Sequence, residues 1–62
     1  MTQNVEVWKL QPGDTVNVRG EFMVIKTIDS ELNGVSLNLL DNHGRGHYQN
    51  YGHDDIVPLE RE

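Results

Sequence analysis

Residues 15–29 read TVNVRGEFMVIKTID, and their alternation decides the fold class. In Thr15–Arg19, Val16 and Val18 share one face of an extended chain while Thr15, Asn17 and Arg19 take the other, the period of two expected of a half-buried strand. Gly20 and Glu21 follow as a two-residue hairpin link, with glycine supplying positive φ at the first central position, a type II′ turn. The next run is apolar on both faces. Phe22, Val24 and Ile28 stand in one phase, Met23 and Ile25 in the other, and Lys26 breaks the series. This predicts a long, bent strand with a bulge where the phase changes.

Outward from this centre the same logic repeats. Val35, Leu37 and Leu39, spaced by Ser36 and Asn38, give the clearest half-buried strand in the chain. DSELNG (29–34) closes on an Asn-Gly pair, DNHGRG (41–46) carries two glycines, and Pro12-Gly13 presets a turn before Asp14. In HDDIVPLE (53–60), Asp54 and Asp55 are placed to cap one short turn before a last strand. Pro58, which cannot donate to a ladder, is expected at an edge or strand end. VEVWKL (5–10) also alternates, so residues 1–9 read as an N-terminal arm or extra strand, with Trp8 expected in the core if the arm packs. Residues 10–62 read as the β-domain proper. Short strands with turns between them predict an all-β fold, a small five-stranded barrel whose closure removes exposed edges.

Sixty-two residues allow one domain, and Leu, Ile, Val and Phe together supply 17 of them, enough for a single small core. With no cysteine, neither disulfides nor thiolate metal sites can reinforce it. No apolar run approaches a membrane span and the N-terminus lacks a secretory pattern, which points to a cytoplasmic protein without membrane partners. The net charge of −5 repels phosphate backbones and favours partners with basic surfaces.

The runs LQPGDTVNVRGEFMVIKTID, VSLNLLD and DDIVPLE together resemble an SH3-like barrel over about residues 10 to 60. Peptide-binding SH3 domains carry a Tyr-rich ALYDY-like stretch and a Trp pair, and this chain has neither, so the resemblance does not imply a proline-rich ligand. KOW and Tudor barrels, which share the architecture, bind RNA, protein or modified side chains. In size and style the chain is similar to small orphan proteins of phages and mobile elements, which implies a phage or bacterial modulator.

Functional side chains concentrate in DNHGRGHYQNYGHDD (41–55), which holds all three histidines and both tyrosines. Arg45, His47, Tyr48 and Tyr51 read as a recognition surface on one side of the barrel, since aromatic rings and arginine dominate binding hot spots. Asp54 and Asp55 flank it with negative charge. His43, His47 and His53 with Asp54 or Asp55 form a conceivable metal set, but their spacing matches no metal motif and none is expected. No cofactor is expected either. Ser30 and Ser36 lack a nucleophile context, and the adjacent acids read as turn caps, so no catalytic residue is assigned. The expected function is a non-catalytic interaction module binding a basic partner or a second copy of itself. The alternative is a nucleic-acid-binding barrel using Arg19, Lys26, Arg45 and the tyrosines.

Overall fold

The structure, a computed structural model, describes residues 2–60; Met1, Arg61 and Glu62 of the expected arm and barrel ranges lie outside them. Alternation produces six strands: β1 (Thr2–Glu6), β2 (Thr15–Val18), β3 (Glu21–Glu31), β4 (Gly34–Leu40), β5 (Gly46–Tyr51) and β6 (Ile56–Glu60). They form one antiparallel sheet in the order β1-β6-β2-β3-β4-β5. The all-β class is as expected, but the sheet is open and six-stranded rather than a closed five-stranded barrel. β1 and β5 stand at opposite edges, and among the described residues no further strand bridges them.

A closed barrel is not needed to bury the core. Val16, Val18, Met23, Ile25, Val35, Leu37, Leu39, Val57 and Leu59 point to one side of the sheet and meet with Val7 and Leu10 in a single cluster. The sheet reaches this by bending at the predicted bulge. The β3–β4 register pairs Ile25 with Leu39 and then Thr27 with Asn38, leaving Lys26 as the extra residue. Met23 and Ile25 therefore face inward before the bulge and Ile28 after it, while Phe22 and Val24 face out.

Local chemistry sets the links. Val18 pairs with Glu21, so the β2–β3 turn is Arg19-Gly20, one residue earlier than the sequence suggests. Both have positive φ, 53° and 86°, the type I′ form whose twist suits a hairpin. The Asn17 side-chain oxygen accepts the Gly20 N–H at 2.8 Å. Leu32-Asn33 closes β3 onto β4 through the Glu31–Gly34 pair. Gly34 is required there because a Cβ would collide with the Tyr51 carbonyl. The Pro12-Gly13 turn forms as expected, with Gly13 at φ 97° and the Asp14 N–H donating to the Gln11 carbonyl at 3.1 Å.

The N-terminal segment pairs throughout with β6, from Thr2 opposite Glu60 to Glu6 opposite Ile56. A 3-10 turn follows at Val7–Lys9 and brings Leu10 into the core three residues after Val7. Val7 drops into the core, and Trp8 turns outward, 56% exposed, against the expectation of a core residue. Its indole N–H donates to Glu6 at 2.9 Å, and Lys9 lies 5.2 Å from the ring centre. Pro58 is also placed differently from expectation, inside β6 and between β1 and β2. The β2–β6 ladder consists of Thr15–Glu60 and Val16–Leu59 and stops before Pro58, so the missing N–H interrupts no bond. Among the described residues no helix is long and apolar enough to cross a membrane.

Candidate interaction surface

β5 carries most of the candidate residues, and its alternation divides them. His47, Gln49 and Tyr51 oppose the core residues Leu39, Leu37 and Val35, whereas Tyr48 and Asn50 oppose Asn38 and Ser36 on the outer face. The single recognition surface expected from Arg45, His47, Tyr48 and Tyr51 is thus split between two faces of the sheet. Tyr51 packs against the core, and burial pushes its hydroxyl pKa above the ordinary value, partly offset by Arg19.

His47 serves the β4–β5 loop. Asp41, at the end of β4, spreads its carboxylate over three donors: His43 N–H at 2.9 Å, Arg45 N–H at 2.9 Å and the His47 Nε2–H at 2.8 Å. An ionised carboxylate only accepts, which fixes the proton on Nε2. These bonds, the His47 one foremost, pull the Asp41 pKa from 3.8 to about 2, against the opposing effect of burial. Arg45 is exposed at the loop end, its backbone closing on Asp41 and its side chain open to solvent.

Asp54 and Asp55 lie in the turn after β5. Asp55 is structural: its carboxylate accepts the Gly52 N–H at 2.9 Å, and its own N–H returns to the Gly52 carbonyl at 3.1 Å. Asp14 closes the Gln11–Asp14 turn by the same pair of bonds. Asp54 is exposed. His53 donates from Nε2 to the Glu31 carbonyl at 2.9 Å and draws this turn toward β3. The histidines are thereby dispersed, and among the described residues no group of three His, Asp or Glu side chains could hold a metal.

The outer face of β3, β4 and β5 is what alternation in β5 alone did not reveal. Its residues form rows across the sheet through the ladder register. One row is Asp29, Ser36 and Asn50, with the Ser36 hydroxyl donating to Asn50 at 2.8 Å. The next is Thr27, Asn38 and Tyr48, with the Asn38 amide donating to Thr27 at 2.7 Å. The third holds Val24 and Leu40, and Phe22 extends it along β3. Tyr48, 56% exposed, stands between two hollows. One of about 300 Å³ is lined by Glu31, Ser36 and Asn50, and one of about 440 Å³ by Lys26, Thr27 and His47. The Glu31 carboxylate thus lies on one side of the aromatic ring, and Leu40 and Lys26 lie on the other. Phe22 and Val24 were legible as an apolar phase of β3, but their exposure depends on where the bulge falls.

Fold and surface together define a small antiparallel β-domain with an aromatic, partly acidic outer face. No protein-family model, curated protein or solved structure matches the chain.

Proposed function

We propose that this chain is a non-catalytic interaction module that binds a protein partner through basic side chains on that partner. The observation that supports it is the row of Asp29, Ser36 and Asn50 beside exposed Tyr48, with Glu31 at the rim of the adjoining hollow. Carboxylates here meet Lys or Arg, the tyrosine supplies a flat face for an aliphatic stem or guanidinium, and Phe22 and Val24 extend the contact with apolar area. The net charge of −5 steers such a partner inward. A cytoplasmic phage or bacterial modulator would act this way by covering a basic patch on its target.

The test is amide shift mapping with short Lys/Arg-rich peptides containing one apolar residue, beside acidic peptides and single-stranded oligonucleotides as controls. Basic peptides are expected to move Asp29, Ser36, Tyr48 and Asn50, and Tyr48→Ala to abolish the response. Oligonucleotide binding at about 50 mM salt, fading as salt rises, would replace this reading with the nucleic-acid one, in which Lys26 beside Tyr48 contacts phosphate.

A further inference from the structure

The register of the sheet determines which backbone groups of β5 are paired. A two-residue hairpin makes its closing pair, Glu31–Gly34, exchange both hydrogen bonds, and antiparallel ladders alternate from there. Gly34, Ser36 and Asn38 therefore direct their backbone groups to β3, and Val35, Leu37 and Leu39 direct theirs to β5. The partners of the latter, Tyr51, Gln49 and His47, are satisfied within the sheet. Gly46, Tyr48 and Asn50 point their N–H and C=O groups away from β4, along the open edge of the sheet. The usual protections of an edge are missing: residues 46–51 contain no proline, lysine or carboxylate. His53 holds the following turn toward β3 and leaves that edge uncovered.

We propose that the β5 edge pairs antiparallel with β5 of a second copy, joining two sheets into one. Charge selects this occupant. Lys26 and Arg45 lie at the Gly46 end of the strand, two cations against the one carboxylate of Asp41. Glu31, Asp54 and Asp55 lie at the Tyr51 end. Antiparallel pairing sets the basic end of each copy against the acidic end of the other, twice over, whereas a parallel arrangement would set like ends together. Centred on Gln49, the register aligns Tyr48 with Asn50 of the other copy and keeps outer face with outer face. It pairs the outward-pointing backbone groups of Tyr48 and Asn50 with those of the other copy and stops at Gly52, whose N–H and C=O are bonded to Asp55. The proposal goes beyond the partner-binding reading, because it uses the strand's backbone and end charges rather than the face bearing Asp29 and Ser36.

One strand pair buries less than a standard interface, so the dimer is expected to form between about 10 µM and about 1 mM. Sedimentation equilibrium of the full chain over that range tests it. Asn50→Pro deletes an N–H that β4 does not use and is expected to abolish association, while Asn50→Ala, which keeps it, does not. Arg45→Glu is expected to weaken the dimer about tenfold, and adding Asp54→Arg to restore it. Both charged positions are exposed, so these variants stay interpretable even if the proline variant unfolds. A monomer at every concentration would overturn the proposal. So would a dimer indifferent to Arg45→Glu, or one lost on Phe22→Ser with the edge intact. Peptide mapping below 10 µM reports on the outer face independently of any of these results.

Discussion

Asp41 and His47 are joined by a 2.8 Å hydrogen bond that spans the whole β4–β5 loop, from the residue after β4 to the second residue of β5. The same carboxylate binds two backbone N–H groups inside the loop, so one side chain carries the turn's geometry.

Acid titration follows from this. The Asp41 pKa is lowered on folding, from 3.8 to about 2. Its contribution is therefore complete above about pH 4 and disappears as the pH falls toward 2. Melting curves across that window should show a steeper loss for the native sequence than for Asp41→Asn, and carboxyl NMR should place the Asp41 midpoint near 2. On the alkaline side the sign reverses for Tyr51. Its pKa is raised, so its contribution holds below pH 10 and is lost as the pH rises through the folded value.

Arg19 is the one described residue other than glycine with positive φ. A non-glycine residue there costs about 1–2 kcal/mol, and asparagine tolerates the conformation better. Arg19→Asn should therefore raise the melting temperature by a few degrees, at roughly 4–8 °C per kcal/mol for a domain of this size. Calorimetry showing no rise would argue that the turn is not type I′.

At Gly34 the constraint is space. Alanine would push its Cβ onto the Tyr51 carbonyl and force β4 and β5 apart where their ladder ends. Gly34→Ala should destabilise by about 1–3 kcal/mol, the usual cost of overpacking. Urea denaturation would register this as a lower midpoint at unchanged slope.

Tyr48 and Tyr51 should separate stability from binding. Tyr48→Ala removes an exposed ring and should leave the melting temperature nearly unchanged while abolishing basic-peptide shifts. Tyr51→Ala removes a side chain packed on the core and should lower stability by about 2 kcal/mol or more. Thermal melts of the two variants, run beside the peptide titration, check both halves.

The strands and the core were legible where alternation was strict. Val16, Val18, Val35, Leu37 and Leu39 all face inward as the period of two requires, and the bulge at Lys26 was visible as a change of phase. Alternation fails to carry across a local reset. Val7 follows Val5 inward and Trp8 falls outside, but the 3-10 turn then brings Leu10 inward three residues after Val7, and the choice of Arg19-Gly20 over Gly20-Glu21 rested on pairing that only the whole sheet defines. Closure was the larger miss. Short strands with turns between them fit a barrel and an open, bent sheet equally well, because both bury one face. The candidate site was found as a segment but not as a surface. Residues close in sequence along β5 look to opposite sides of the sheet, and the neighbours that give Tyr48 its surroundings come from β3 and β4.

Among the described residues two rungs tie β2 to β6, where Pro58 ends the ladder, while five tie β6 to β1. The first and last strands of the chain are therefore held to the rest of the sheet less by that ladder than by Val57 and Leu59 in the core. Amides of β1 and β6 are expected to exchange with solvent sooner than those of β3 and β4. Because these two strands lie at opposite ends of the polypeptide, their pairing closes the longest loop in the fold and is expected to form after the central hairpins.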